Sequence, residues 1–129
     1  MRKTVNSCII GIGSNIDPQE NIEKALDLLS KDVKIVAISS FVRTSPLGIT
    51  SQPDFLNGAA KVETVLDETE FRLYLKRLED RLGRDRTQPK YGPRCIDLDM
   101  IVWNETIVDQ DYHHRDFLKK SVAELGFRP

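Results

Sequence analysis

The sequence predicts an α+β protein of the ferredoxin-like sandwich type, in which an antiparallel-rich sheet carries helices packed on one face. The main observation is the order of the segments, because strand-like and helix-like patterns follow one another as β-α-β-β-α-β-β-α. Length and composition agree, since 129 residues with 40% hydrophobic and 30% charged residues suit one globular core. We therefore expect residues 1–129 to form a single domain.

The first third of the chain predicts a strand, a helix and a second strand. Thr4–Ile12 is apolar and β-branched, which favours a strand. A helix is expected over about Pro18–Ser30, where apolar residues recur at helical spacing after an N-cap carboxylate at Asp17. A pattern with the two-residue period of a strand then predicts a strand over Val33–Thr44. The Pro- and Gly-bearing stretch Ser45–Asp54 predicts a loop of a length that is often functional.

The middle of the chain repeats this pattern. Phe55–Val65 predicts a strand, and Asp67 with a glutamate three residues later predicts the capped start of an amphipathic helix. Gly83 is expected to end that helix. Gly83–Pro93 is polar and basic without periodicity, and it predicts a second long loop.

Strict alternation in Arg94–Trp103 predicts a strand with two chemically different faces. Asp97 and Asp99 lie on one of them. The other face is expected to be apolar and to consist of Ile96, Leu98, Met100 and Val102. A short strand at Thr106–Val108 and a closing helix through Phe117–Leu125 complete the predicted fold.

The carboxylates of Asp97 and Asp99 are the clearest candidate for a functional site. Side chains at i and i+2 of a strand point the same way, with Cα atoms about 6.5 Å apart, so both can reach one divalent cation or two adjacent ones. A solvated outer face is the alternative. Residues 81–94 favour the site, because this segment holds five cations and one acid. Metal-binding carboxylates beside arginine and lysine are what phosphoryl transfer requires.

Other features exclude or weaken alternative functions. The net charge of -1 gives no overall positive field that would attract nucleic acid or an anionic membrane. Gly11-Ile12-Gly13 lacks the third glycine of a dinucleotide motif and is interpreted as a tight strand-to-helix turn. Cys8 and Cys95 are expected to be reduced thiols, and we expect a cytoplasmic protein.

An aromatic ring beside an amide is a suitable slot for a flat heteroaromatic ligand, and Phe55 with Asn57 supplies this pair. A polar residue on a strand edge is the alternative interpretation of Asn57. His113 and His114 are adjacent and would diverge on any regular element, so they do not predict a metal site.

The segment Lys90–Ile101 resembles the signature of the 6-hydroxymethyl-7,8-dihydropterin pyrophosphokinases of folate biosynthesis. Further blocks agree in order and spacing, and the resemblance covers roughly Thr4 to Val108. These blocks are Ile12–Ile16, Thr44–Gly48, Gln52–Asn57 and Leu82–Arg84.

The resemblance implies transfer of pyrophosphate from ATP to the hydroxymethyl oxygen of the pterin, with release of AMP and with two magnesium ions. It implies that Asp97 and Asp99 hold both ions, and that these two residues form the catalytic set with Arg84 and Arg94. The implied nucleotide contacts are Glu79, Arg84, Lys90, Tyr91, Arg94 and Ile96. The implied pterin contacts are Thr44, Ser45, Leu47, Phe55, Asn57 and Phe117.

The sequence departs from the family after Val108. The segment is shorter there, and a Pro-His step that contacts the nucleotide is missing, although Arg115 and Phe117 fit a following Arg-x-Phe step. His113 or His114 could replace the lost contact. One alternative is therefore a paralogue that binds pterin or nucleotide without efficient transfer, and another is a nucleic-acid-binding module of the same fold. We expect a monomer whose partners are its small-molecule substrates.

Overall fold

The computed structural model describes residues 4–46, 48–89 and 92–129. Within these ranges the chain forms a six-stranded antiparallel sheet with three α-helices, which confirms the predicted α+β class. The strands are β1 (Asn6–Ser14), β2 (Lys34–Ile38), β3 (Val42–Thr44), β4 (Phe55–Thr64), β5 (Asp97–Trp103) and β6 (Thr106–Ile107). The helices are α1 (Pro18–Asp32), α2 (Glu68–Arg81) and α3 (Asp116–Glu124), with a short 3₁₀ helix at Gln110–His114.

The strands are ordered β2-β4-β1-β5-β6, and β3 pairs with β4. β1 therefore lies at the centre, with antiparallel partners on both sides. The predicted strand Val33–Thr44 is in fact two strands, β2 and β3. Between them the backbone of Ser39 donates to the carbonyl of Ala59 at 2.9 Å. Ser39 Oγ accepts from the Ala59 amide at 2.8 Å, so a serine takes part in the pairing where the strand breaks.

Helices cover both faces of the sheet, so the expectation that they pack on one face is wrong. The larger core lies between the sheet and α1 with α2, and includes Ile10, Leu29 and Phe71. A second core lies on the opposite face, where Leu118 and Val122 of α3 pack on the central strands. This face is itself apolar along the middle of the sheet, and its hydrophobic side chains would be exposed to water without α3.

A β-bulge between β1 and β5 changes the predicted faces of β5. Ile9 pairs with Val102 and Ile10 with Met100, which leaves Ile101 as the extra residue. Ile101 and Val102 consequently both pack in the core beneath α3. The placement of Val102 on the same face as Leu98 and Met100 is therefore wrong, because alternation does not continue across a bulge.

The two predicted helix caps have different outcomes. Asp67 forms the expected capping box, in which its carboxylate accepts from the Glu70 amide at 2.8 Å and Glu70 accepts from the Asp67 amide at 3.0 Å. Asp17 makes no side-chain cap hydrogen bond. Its φ of 41° lies in the left-handed region, whereas a capping side chain reaches the first helical turn from an extended backbone.

The helices are also too short and too polar for a membrane span. α1 has 15 residues, fewer than the roughly 20 that a bilayer requires. Among the residues that the structure describes, none of the helices combines the necessary length with the necessary apolar character.

Candidate active site

A pocket of about 360 Å³ opens on the α3 side of the sheet. It brings together eight of the residues predicted from the sequence. These are Thr44, Ser45, Phe55, Asn57, Arg94, Asp97, Asp99 and Phe117. Gly92, Asp109, Asp111 and Arg115 also line it and were not predicted as site residues.

The floor of the pocket is set by the register of the three central strands. Gly13 of β1 pairs with Asn57 of β4 on one side and with Asp97 of β5 on the other. A Cβ atom at Gly13 would collide with Asn57 Oδ1. Gly13 therefore lies inside β1 rather than in the turn that the sequence suggested, and the absence of a side chain lets the amide oxygen of Asn57 lie against it.

One wall, which we call the ring side, consists of Thr44, Ser45, Phe55, Asn57 and Phe117. Thr44 pairs with Phe55 in the register of β3 and β4. Asn57 Nδ2 donates to Thr44 Oγ1 at 2.6 Å, and this bond fixes the orientation of the amide. The predicted pterin contact Leu47 lies outside the described residues.

The opposite wall, which we call the charged side, consists of Arg94, Asp97, Asp99, Asp109, Asp111 and Arg115. Asp97 Oδ1 accepts from Arg84 Nη1 at 3.2 Å and from Arg94 Nη1 at 3.4 Å. Arg84 supports this wall from beneath, because it does not line the pocket and its side chain is only 12% exposed.

The carboxylate of Asp99 carries the strongest electrostatic signal on the charged side. Its pKa is raised well above that of an ordinary aspartate. The largest cause is desolvation of the carboxylate by the protein atoms around it, although Asp99 is exposed to the open pocket. The charge of Asp97 and a hydrogen bond with that residue add to the effect. Such repulsion is relieved when a cation is bound.

These two carboxylates fit a magnesium ion that is shared with a phosphorylated substrate. Within residues 4–46, 48–89 and 92–129, no group of three or more His, Cys, Asp or Glu side chains could hold a metal ion by itself. Magnesium commonly binds through one or two carboxylates and takes its other ligands from water and substrate phosphates. Asp97 and Asp99 supply such an incomplete set of oxygen ligands.

Glu79, a predicted nucleotide contact, lies beneath the charged side and does not line the pocket. It is 4% exposed, and burial is the main cause of its raised pKa. Its Oε2 accepts from the Leu98 amide at 2.8 Å and from Arg84 Nη1 at 3.1 Å. Its Oε1 accepts from Arg86 Nη2 at 3.1 Å. This buried carboxylate thus joins the basic loop to the strand segment between Asp97 and Asp99.

Of the remaining predicted nucleotide contacts, only Ile96 is described by the structure, and it does not line the pocket. Ile96 is fully buried in the core, and its carbonyl accepts from Arg84 Nη1 at 3.4 Å. Lys90 and Tyr91 lie outside the described residues.

The segment that follows Val108 contributes three residues to the charged side, namely Asp109, Asp111 and Arg115. Asp109 Oδ1 accepts from the Asp111 amide at 2.7 Å and so caps the 3₁₀ helix. Burial raises the pKa of Asp109, and the neighbouring Asp111 adds to this effect. Asp111 Oδ2 lies 3.3 Å from Arg115 Nη2.

The sequence contains one signal for these residues, because Asp109-x-Asp111 repeats the spacing of Asp97-x-Asp99. His113 and His114 are exposed on the 3₁₀ helix, and neither is among the described residues that line the pocket.

The fold and the pocket define a class of protein. Paired carboxylates and arginines face an aromatic and amide wall across one pocket, which suits a phosphotransferase acting on a small flat heteroaromatic compound. The family model for 7,8-dihydro-6-hydroxymethylpterin-pyrophosphokinase (HPPK) matches residues 9–126. The chain therefore belongs to this family, and the match extends beyond Val108 as far as residue 126.

Individual relatives agree with the family match. The chain is 34% identical to the 2-amino-4-hydroxy-6-hydroxymethyldihydropteridine pyrophosphokinase of Haemophilus influenzae, over 91% of this chain and 79% of the relative. It is 35% identical to the enzyme of that name from Pseudomonas aeruginosa, over 78% and 63%. A folate synthesis bifunctional protein of Pisum sativum is 38% identical over 80% of this chain but only 20% of its own length. The chain thus spans less than two thirds of two of these three relatives.

Proposed function

We propose that this chain transfers pyrophosphate from ATP to 6-hydroxymethyl-7,8-dihydropterin, giving the pterin diphosphate and AMP in folate biosynthesis. Its family supports the reaction. The observation that carries the proposal is the arrangement of the pocket, in which Gly13 separates Asn57 from Asp97. A pterin on the ring side would have its hydroxymethyl group directed towards phosphates on the charged side.

The ring side would bind the pterin. Phe55 and Phe117 offer aromatic faces, and Asn57 offers an amide whose orientation Thr44 holds. Stacking on aromatic side chains together with hydrogen bonds to the edge of the ring is how proteins recognise flat heteroaromatic compounds.

The charged side would bind the polyphosphate of ATP. Magnesium ions held by Asp97 and Asp99 would neutralise phosphate charge. Arg94 lines the pocket. Arg84 does not line it, but it donates to the same oxygen as Arg94, which is Asp97 Oδ1. These arginines would stabilise the negative charge that grows on the leaving AMP oxygen.

The reaction balances without an added oxidant or reductant. The hydroxymethyl oxygen forms a bond to the β-phosphorus, the bond between this phosphorus and the oxygen of the α-phosphate breaks, and AMP leaves. The hydroxyl proton passes to water as the new bond forms. Positioning and electrostatics would supply most of the rate enhancement, as in other phosphoryl transfers.

A catalytically weak paralogue is the second candidate, and the segment after Val108 favours it. Asp109 and Asp111 present two carboxylates on the wall proposed for polyphosphate. Negative groups there would weaken ATP binding unless metal ions or Arg115 offset them.

An assay of AMP formation with ATP, magnesium and the hydroxymethyldihydropterin tests the proposal. AMP and pterin diphosphate should appear in equal amounts, and only when all three components are present. Pterin or nucleotide binding without AMP would support the paralogue, whereas ADP formation would contradict pyrophosphate transfer. Cytoplasmic location and a monomeric state stay predictions.

A further inference from the structure

Asn15 is a buried polar residue that does not line the pocket, yet it connects the two segments that carry the pocket walls. It follows β1 directly and is 3% exposed. Its side-chain oxygen and amide nitrogen both form hydrogen bonds to parts of the chain that are distant in sequence.

The first connection is to the charged side. The backbone amide of Asn15 donates to the carbonyl of Arg94 at 3.1 Å, and the amide of Arg94 donates to Asn15 Oδ1 at 2.8 Å. Two hydrogen bonds thus hold the backbone of Arg94, whose guanidinium lies 3.4 Å from Asp97.

The second connection is to the ring side. Asn15 Nδ2 donates to Gln52 Oε1 at 2.8 Å and to the carbonyl of Pro53 at 3.0 Å. Gln52 Nε2 in turn donates to the carbonyl of Ile49 at 2.9 Å, which ties the loop to itself. Pro53 lies two residues before Phe55, so this contact fixes the chain where it enters β4.

We propose that Asn15 is a positioning residue that sets the separation of the ring side and the charged side. The inference rests on the proposed function, because that separation determines whether the pterin hydroxyl meets the β-phosphorus. An amide suits this position, since it presents an acceptor to Arg94 and two donors to Gln52 and Pro53 from one small planar group. Aspartate has the same shape but cannot donate.

Two variants and a matched control test the role. Asn15→Asp places a carboxylate against Gln52 Oε1 and the Pro53 carbonyl. It therefore removes the connection to the ring side and keeps an acceptor for the Arg94 amide. Gln52→Ala removes one acceptor from the loop while leaving the buried asparagine in place. Asn21→Asp is the control, because Asn21 is half-buried on the neighbouring helix and donates to the Ile16 carbonyl at 2.6 Å.

Steady-state kinetics separate positioning from binding. Asn15→Asp should lower kcat by about 100-fold, as expected for a misplacement of reacting groups by about 1 Å. Both KM values should stay within a factor of about three. Gln52→Ala should show the same pattern with a smaller loss, and Asn21→Asp should match the parent. A kcat equal to the parent in folded Asn15→Asp, or a loss seen only in KM, would overturn the proposal.

Amide hydrogen exchange without substrates tests the connection independently of catalysis. Asn15→Asp should speed exchange in residues 48–54 and also in 92–94, because one side chain holds both segments. Faster exchange in only one segment would contradict the proposed connection, even if Asn15→Asp fails to give active enzyme. Absence of AMP formation by the parent chain would contradict the proposed function instead, and the exchange result would still decide the role of Asn15.

Discussion

The two walls of the pocket are built in different ways. The ring side is held by strand register and by a neutral hydrogen bond between Asn57 and Thr44. The charged side has Asp97 between two arginines, and next to it Asp99, whose pKa is raised by desolvation and by its acidic neighbour. The described ring side is therefore held without charged groups, whereas the proposed magnesium ions would balance the carboxylates of the charged side. Changes on the two walls should consequently affect different steps of the reaction.

The largest effect is expected on the charged side. Asp97→Ala or Asp99→Ala should lower turnover by at least roughly a thousandfold, because each change removes oxygen ligands where transition-state charge must be neutralised. Initial rates of AMP release at saturating substrates measure this loss. Asp27→Asn is a suitable control, since Asp27 is exposed on α1 and pairs only with Lys31 among the described ion pairs. Normal turnover in either pocket variant would refute the assignment of the carboxylate pair.

A smaller and more selective effect is expected on the ring side. Phe55→Ala should weaken pterin binding by about 1–3 kcal/mol, the usual worth of stacking on an aromatic side chain, and leave ATP binding nearly unchanged. Titration calorimetry with each ligand measures both affinities. Weaker ATP binding with normal pterin binding would mean that the pterin lies elsewhere.

Arg115 on the charged side can be compared with the two nearby histidines, which do not line the pocket. Arg115 lines the pocket, so Arg115→Ala should raise the KM for ATP by about tenfold, the loss expected for one charge-assisted hydrogen bond. His113→Ala and His114→Ala should leave this KM unchanged, because both side chains lie on the exposed face of the 3₁₀ helix. An increase in either histidine variant would show that it replaces the missing family contact.

The pH dependence of metal binding gives the smallest effect. A proton competes with the metal for Asp99, and its raised pKa means that this competition persists at higher pH than for an ordinary aspartate. An unperturbed aspartate is almost fully ionised above about pH 5. Manganese affinity should therefore still rise with pH above that value and level off once Asp99 is ionised. Affinity that is constant above pH 5 would contradict the raised pKa, while Phe55→Ala should keep the parent profile.

Much of the pocket could be predicted because its signals are local in sequence. Asp97 and Asp99 share a face through the two-residue period of a strand, and this period holds up to the bulge at Ile101. The basic loop and the Pro-bearing loop are visible as breaks in periodicity. The family resemblance added Phe117, which local patterns do not connect to the pocket.

The remaining features depend on contacts between distant strands. The close approach of the Asn57 amide oxygen to Gly13 exists only because β1 and β4 pair in a particular register. Asn15 bonds to residues that follow it by 37 to 79 positions, and no local pattern indicates such partners. The packing of α3 on the second face likewise follows from the apolar surface that the assembled sheet exposes.

Metal binding tests the central claim most directly, because it asks whether the charged side is completed by cations. Manganese can be titrated in the presence of a non-hydrolysable ATP analogue and followed by electron paramagnetic resonance. We predict two bound ions in the parent chain, and at least one fewer in Asp97→Ala and in Asp99→Ala, with Phe55→Ala unchanged. The same number of ions with the same affinity in the two aspartate variants would contradict the account.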